Sequence, residues 1–450
     1  MVGAGAGAGP GVDTGMRKDR YIRMLRVLVR QGGAWRGRRW RILTSHRRGA
    51  GYTEEQLETP KNGEMESIHF NTQEAGKLKE MFMSPPPFDQ SWIDQERKDM
   101  DNPNIEKDWF DGIAVKKGKE VFETWDVEET ELLARRRKSY KDAAPNTERA
   151  QLETPHYRGL KEVVTSDEEW KSSDGHQFTV TVYRKPNVDP EFVTVYYHGG
   201  GLKIGESNSE AISCRILAQN FNTIVYSVGY RLIFINSAKA GLQDAKDAYE
   251  EVKKRHSQKK ILIVGVSSGG TLAGLVSQSE LERKKWLLGV ILRNPVTIAP
   301  ESEDITITAE RKKYYRHMRS TFAQRLVEYY NEDPKNKLPY HLDTVLQLPG
   351  FLKRYNDLPR DGFDAMPGEA STDAMKDLPR TWIQVCTNDP LFGDGVDYAG
   401  HLQGANVEIM LNVWKGYPHT FFHMAPFMEQ SHQAEQDVVA GIKWIKGEKS

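Results

Sequence analysis

The chain has 450 residues, with 63 basic and 63 acidic side chains and a formal net charge of zero at pH 7. This length allows one large α/β domain with insertions or two ordinary domains, and the balanced charge gives no overall attraction to nucleic acid or to a membrane. No apolar run approaches the roughly 18 residues of a membrane span. The two cysteines, Cys214 and Cys386, provide no disulfide framework, so we expect a reducing compartment.

Residues 1–64 differ in composition from the rest of the chain. They open with a run of Gly and Ala, and residues 17–48 carry twelve Arg or Lys but a single acid, Asp19. An Arg-rich, acid-poor segment is typical of an organelle presequence, whereas a run of small residues favours a disordered extension. Both interpretations stay open. We expect a cytoplasmic protein, with mitochondrial targeting by this segment as the alternative.

Residues 65–150 are predicted to form N-terminal cap helices. Their composition is mixed and highly charged, and residues 128–143 follow the spacing of an amphipathic helix. The prediction assigns these helices, together with a later insertion, to a cap over the main domain.

From residue 177 onward, short runs rich in β-branched residues alternate with helical stretches. The runs are QFTVTVYR, FVTVYYH, TIVYSV, ILIVGV, LGVILR, TWIQVCT and VEIMLNVW. Alternating strands and helices predict a mostly parallel central sheet with helices on both faces. We expect this α/β domain to occupy residues 151–450. The charged and aromatic residues 300–375 are expected to form a cap insertion, where the aromatic side chains line an apolar pocket or pack between helices.

A glycine-rich segment directly follows one of these predicted strands. Residues 198–201 read HGGG, and three consecutive glycines are costly in conformational entropy. They are useful where backbone N–H groups must face a ligand with no side chain in between. The N–H groups of Gly199 and Gly200 are therefore candidates to hold a developing oxyanion, and a flexible turn is the alternative.

A serine lies at a predicted strand-to-helix corner. Residues 265–269 read GVSSG, and a G-x-S-x-G sequence on such a corner raises the serine hydroxyl above the sheet. The helix that follows directs its unpaired N–H groups at the same point. We predict Ser267 as a nucleophile and the N–H of Ser268 as a further oxyanion donor. A surface serine on an ordinary turn is the alternative, and the glycine-rich segment upstream argues against it.

The nucleophile requires a base and an acid from later in the chain. Asp389 follows one predicted strand and His419 follows the next. Because adjacent parallel strands end at the same edge of a sheet, these two side chains are expected to meet near Ser267, with His419 as the base and Asp389 as the group that orients it. The competing residues are His423 for the base and Asp394 or Asp397 for the acid.

Taken together, these motifs resemble those of the hormone-sensitive-lipase-like esterases, a family of α/β hydrolases. The matching segments are residues 198–201 with Gly205, residues 230–232 with Asp244, residues 265–273, residues 389–391 with Asp394 and Gly395, and residues 418–421. The resemblance implies the α/β-hydrolase fold with a helical cap, and the hydrolysis of short- to medium-acyl or small lipophilic esters.

Three departures from the family pattern affect the surroundings of the site. Val266 stands where the family has Asp, Thr420 where it has Gly, and residues 233–235 where it has Ala-Pro-Glu. The family also includes plant hormone receptors that lack the catalytic histidine. This chain has His419 at that position, which favours an enzyme.

The expected function is therefore that of a serine hydrolase that cleaves carboxylic esters through an acyl-enzyme intermediate. An amidase or lactonase with the same three residues is one alternative, and a small-molecule-binding protein without catalysis is another. We expect no metal and no organic cofactor, since the sequence contains neither zinc-ligand spacing nor a phosphate-binding loop. The expected partner is a small-molecule ester; no nucleic acid and no stable membrane insertion are expected, and a homodimer is left open.

Overall fold

In the described part of the chain, the β-branched runs form the central strands of a nine-stranded sheet. The structure, a computed structural model, describes residues 65–69, several positions between 78 and 95, and residues 125–233, 236–298, 365–389 and 391–448. All of these residues belong to one compact unit that spans Pro60–Ser450.

The strands are β1 Met65–His69, β2 Val164–Lys171, β3 Gln177–Arg184, β4 Phe192–Tyr197, β5 Thr223–Val228, β6 Ile261–Val266, β7 Leu287–Arg293, β8 Thr381–Cys386 and β9 Ile409–Trp414. They lie in the order β1-β9-β8-β7-β6-β4-β5-β3-β2. The six central strands, from β9 to β5, are parallel, whereas β1, β3 and β2 pair with their neighbours in antiparallel fashion.

Helices cover both faces of this sheet. Alternate residues of β6 enter two separate hydrophobic clusters, as expected of a strand that is buried on both sides. The helices with described bounds are α1 Trp125–Leu152, α2 Ala211–Asn220, α3 Ala238–Arg255, α4 Ser268–Ser279, α5 Arg283–Trp286, α6 Thr372–Met375, α7 Phe392–Gly404, α8 Phe421–Met424 and α9 Glu429–Lys446. Helices α3, α4 and α7 contribute to the first cluster, and α2 and α9 contribute to the second.

The predicted mostly parallel sheet with helices on both faces is confirmed. Seven strands were located from their β-branched runs to within two residues, whereas the antiparallel edge strands β1 and β2 were not anticipated. Strand β1 pairs with β9 along its whole length. Residues 65–69 therefore belong to the sheet and not to the helical cap in which the sequence analysis placed them.

The predicted extension and most of the predicted cap insertion, residues 1–64 and 300–364, lie outside the described residues. Of residues 65–150, the structure describes β1, several positions between 78 and 95, and α1, which includes the predicted amphipathic segment. None of the described helices is long and apolar enough to cross a lipid bilayer.

Candidate active site

Ser267 occupies the corner between β6 and α4 in a strained backbone conformation. Its φ of 52° and ψ of −120° fall outside the common regions, at a cost of about 1–3 kcal/mol. The tight corner depends on flanking glycines, because a Cβ at Gly265 would lie 2.3 Å from the Gly269 carbonyl oxygen, and one at Gly269 would lie 2.1 Å from the Tyr197 carbonyl oxygen. The Ser267 amide donates to the Arg293 carbonyl at 2.8 Å, so the corner is also tied to β7.

His419 lies within hydrogen-bond distance of this serine. It follows β9, and its Nε2 is 2.8 Å from the Ser267 Oγ. Its Nδ1 is 2.7 Å from the Asp389 Oδ2. Because a carboxylate oxygen accepts, Nδ1 donates to Asp389 and the Nε2 lone pair faces the serine hydroxyl. The parallel strands β6, β8 and β9 thus bring together three residues that are far apart in the sequence.

Asp389 is fully buried and held by further donors. The Asn294 Nδ2 donates to its Oδ2 at 2.8 Å, and the Leu391 amide donates to its Oδ1 at 2.8 Å. With His419, three donors therefore satisfy a carboxylate that has no access to solvent. Asn294 follows β7 and has a positive φ of 46°, and the sequence analysis did not identify it.

The competing residues make other contacts. Asp394 accepts from the backbone amides of Thr297 and Ile298 at 2.9 and 3.3 Å, and Asp397 lies 3.7 Å from His401. The Nδ1 of His423 is 3.5 Å from the Oε1 of the buried Glu210. Burial lowers the pKa of His423 well below its usual value, which keeps that imidazole neutral.

The predicted oxyanion donors are only partly supported by the geometry. The Gly199 N–H donates to the Glu210 Oε1 at 2.8 Å, so it points into the protein and is not free for a substrate oxygen. Its assignment as an oxyanion donor is therefore wrong in this conformation. Among the described residues the Gly200 N–H donates to no acceptor, and the Ser268 N–H belongs to the first turn of α4, where no intrahelical acceptor exists.

His198 orients the peptide group between Gly199 and Gly200. Its Nδ1 lies 2.7 Å from the Gly199 carbonyl oxygen, and the ring stacks on Tyr230 with centroids 4.3 Å apart. Because the peptide is trans, the N–H of Gly200 points away from the carbonyl that His198 holds. Gly205 leaves room for this ring, since a Cβ there would lie 2.3 Å from the imidazole. Burial lowers the pKa of His198 to about 4, so it remains a neutral donor.

An N-terminal segment contacts both loops that carry the acid and the histidine. The Asn388 Nδ2 donates to the Pro86 carbonyl at 3.1 Å, and the Asp89 amide donates to the Gly416 carbonyl at 2.9 Å. The Tyr417 hydroxyl donates to the Asp89 Oδ1 at 3.0 Å. No local sequence pattern indicates these contacts, because they join positions more than 300 residues apart.

A serine on a strand-to-helix corner, facing a histidine and an aspartate at one edge of a parallel sheet, defines the class of α/β hydrolases. Residues 194–423, just over half of the chain, match the model of a family described by the alpha/beta hydrolase fold. The chain belongs to this family, which includes the hormone-sensitive-lipase-like esterases, as the sequence motifs predicted.

Similar proteins of known structure and known name agree with this assignment. The hyperthermophilic esterase from the archaeon Pyrobaculum calidifontis superposes with a TM-score of 0.54 at 22% identity, over 70% of this chain and 91% of that one. The ethyl acetate hydrolase of Pseudomonas putida is 26% identical over 286 residues, which cover 62% of this chain and 82% of the relative. The versiconal hemiacetal acetate esterase of Dothistroma septosporum is 23% identical over 256 residues, 55% of this chain and 71% of the relative. The protein is an esterase-type hydrolase.

Proposed function

We propose that the protein hydrolyses carboxylic esters of short- to medium-chain acids or small lipophilic alcohols through a Ser267-His419-Asp389 triad. The observation that carries this proposal is the continuous hydrogen-bonded path from the Ser267 Oγ to His419 at 2.8 Å and on to Asp389 at 2.7 Å. In this arrangement a serine has its base, and the base has an orienting carboxylate.

In the first half of the reaction, Ser267 Oγ attacks the ester carbonyl carbon while His419 Nε2 takes the hydroxyl proton. Asp389 keeps the imidazole in the tautomer that accepts at Nε2 and stabilises the imidazolium that forms. The C–O bond to the alcohol then breaks, and His419 returns the proton to the leaving alkoxide. An acyl-serine and a free alcohol result.

In the second half, His419 removes a proton from water, whose oxygen attacks the carbonyl carbon of the acyl-serine. The bond between that carbon and the Ser267 Oγ then breaks, His419 returns the proton to Oγ, and the carboxylic acid leaves. In both halves the carbonyl oxygen becomes negatively charged, and we assign its stabilisation to the N–H groups of Gly200 and Ser268. A fixed donor of this kind typically lowers the barrier by about 3–4 kcal/mol. Gly199 is excluded from this set because its N–H binds Glu210.

The proposed substrate class draws on the relatives. One is named for the hydrolysis of ethyl acetate and others for that of versiconal hemiacetal acetate, and both names describe acetate esters. We therefore expect a small acyl group to be accepted, with the alcohol part more variable.

A fluorophosphonate probe tests the nucleophile and a series of p-nitrophenyl esters tests the substrate class. We expect Ser267→Ala to abolish labelling, and Ser267→Ala and His419→Ala each to lower kcat by about 10⁴-fold or more. Ser213→Ala is the matched control, because Ser213 Oγ also lies near an imidazole, 3.5 Å from the His423 Nε2, and its loss should leave labelling intact. Undiminished labelling of Ser267→Ala would refute the triad, and faster cleavage of p-nitroanilides than of the matching esters would point to an amidase.

A further inference from the structure

A buried carboxylate contacts the oxyanion loop, residues 198–205. Glu210 precedes α2, and only 3% of its side chain is exposed. Its Oε1 accepts from the Gly199 N–H at 2.8 Å, and its Oε2 accepts from the Tyr196 hydroxyl at 2.6 Å. The carboxylate therefore joins the end of β4 to the first glycine of the loop.

Gly199 is the point at which this loop passes the nucleophile. A Cβ on Gly199 would lie 3.4 Å from the Ser267 Cβ and 3.2 Å from the Glu210 Oε1. The peptide group between His198 and Gly199 is held at both ends, because its carbonyl accepts from the Tyr230 hydroxyl at 2.7 Å while its N–H donates to Glu210. A shift of Gly199 would change the direction of the Gly200 N–H, which is next in the chain.

On this basis, and resting on the proposed esterase function, we infer that Glu210 is a positioning residue for the oxyanion loop, which acts through its hydrogen bond from the Gly199 N–H. It touches neither substrate nor the reacting atoms. Its action is to hold Gly199 against the nucleophile corner so that the Gly200 N–H stays directed at the developing oxyanion.

The surroundings of Glu210 keep this carboxyl group in place in either ionisation state. Burial raises the pKa of Glu210 to about 7, and the His423 Nδ1 lies 3.5 Å from its Oε1. Arg293 and Glu435 act on the charge from further away. The Tyr196 hydroxyl can accept as well as donate, so a proton on Oε2 is accommodated there while Oε1 still accepts from Gly199.

Substitutions of Glu210 differ in whether they keep an acceptor for the Gly199 N–H. In Glu210→Gln the side-chain oxygen faces Gly199, whose N–H can only donate, and the side-chain NH₂ donates to the Tyr196 hydroxyl oxygen. Glu210→Ala leaves the Gly199 N–H and the Tyr196 hydroxyl without their partner. Glu210→Asp withdraws the carboxylate by one methylene. Tyr196→Phe is the matched control, because it removes the contact to the other carboxylate oxygen and leaves the Gly199 bond intact.

The experiment compares ester hydrolysis, active-site titration and inhibition by phenylboronic acid, which forms a tetrahedral adduct on a nucleophilic serine. We expect Glu210→Ala and Glu210→Asp to lower kcat by about tenfold to a hundredfold with KM within about threefold, and to weaken the boronate by a similar factor. Glu210→Gln and Tyr196→Phe should stay within about threefold of the unsubstituted protein. Titration with the fluorophosphonate counts the active sites, so each kcat is expressed per active site. A variant that only loses folded protein therefore keeps its kcat.

Two results would overturn the inference: unchanged kcat and boronate affinity in Glu210→Ala or Glu210→Asp, or a loss in Glu210→Gln or Tyr196→Phe as large as in Glu210→Ala. Should Glu210→Ala fail to fold, the pair Glu210→Asp and Glu210→Gln decides. An unsubstituted protein that neither hydrolyses esters nor reacts with the probe would contradict the proposed function itself, whereas an active protein insensitive at residue 210 contradicts only this inference.

Discussion

Among the described residues, three with positive φ other than glycine belong to or adjoin the hydrogen-bonded path from Ser267 through His419 to Asp389. They are Ser267, Asn294 and Thr420, with φ values of 52°, 46° and 46°. Each ends a strand-to-helix or strand-to-loop transition at the same sheet edge, and each adjoins or belongs to the Ser267-His419-Asp389 path. A left-handed conformation is rare for residues with a Cβ, and strain of this kind persists only where the surrounding structure enforces it.

Asn294 offers a test at the scale of single residues. Asn294→Gly removes the donor to Asp389 and still permits the positive φ. Loss of a hydrogen bond to a charged group costs about 1.5–3 kcal/mol, so we expect kcat/KM for an ester to fall by about 10- to 100-fold. Asn406→Gly is the control, because Asn406 also has a positive φ, 64°, but is an exposed turn residue before β9. Equal losses of kcat/KM in Asn294→Gly and Asn406→Gly would mean that the change in backbone freedom, and not the lost hydrogen bond, causes the effect.

At the scale of elements, the Arg137 side chain attaches α1 to the oxyanion loop. The Arg137 Nε donates to the Lys203 carbonyl and its Nη2 to the Ile233 carbonyl, both at 2.6 Å. The Leu202 amide donates to the Ser268 Oγ at 2.9 Å. The loop is thus bonded to α4 on one side and to the N-terminal helix on the other, in addition to its contact with Glu210.

Arg137→Ala is expected to loosen this loop. Because two bonds from a charged donor are lost, amide hydrogen exchange in residues 198–206 should accelerate by about 10- to 100-fold. Hydrogen–deuterium exchange with mass spectrometry gives the rates, and Arg149→Ala on an exposed position of the same helix serves as control. An unchanged rate in Arg137→Ala would mean that the loop does not depend on α1.

Across the whole molecule, buried ionisable groups act on stability in opposite directions with pH. Burial lowers the pKa of His198 to about 4, so the unfolded chain binds the proton more readily than the folded one below pH 6.5. The stability that neutral His198 contributes is therefore lost as pH falls from 6.5 towards 4. Burial raises the pKa of Glu210 to about 7 and that of Asp437 to about 6, so the folded chain binds these protons more readily than the unfolded one. The contribution of these two carboxyl groups to the free energy of unfolding therefore falls as pH rises.

A variant without the imidazole isolates one of these contributions. We expect His198→Asn to lower the free energy of unfolding at pH 7, and this loss to be smaller at pH 5 by about 2 kcal/mol. Urea denaturation at the two pH values measures the difference. Tyr230→Phe keeps the imidazole buried, so its cost should be the same at both pH values. A pH-independent cost of His198→Asn would contradict the neutral, buried state of this histidine.

Much of the architecture was predictable because it follows from local patterns. The seven strands from β3 to β9 are apolar, β-branched runs, and the helices between them are amphipathic or rich in small residues. By contrast, β2 is an edge strand whose side chains are mostly exposed, so its sequence, VTSDEEWK, gives no apolar run. Strand β1 forms by pairing with β9, and no local sequence pattern predicts that pairing.

For the site, the amino-acid sequence by itself determined the strand-to-helix corner at Ser267 and the places of Asp389 and His419 after consecutive strands. Glycines around a serine, and polar residues at the ends of consecutive strands, are constraints that act over a few residues. Only the tertiary structure decided which N–H groups remain free. The sequence predicts Gly199 as an oxyanion donor, but in the structure Glu210, eleven residues later, accepts its hydrogen bond. The direction of a peptide N–H depends on every group packed around it, and those groups come together only when the chain folds.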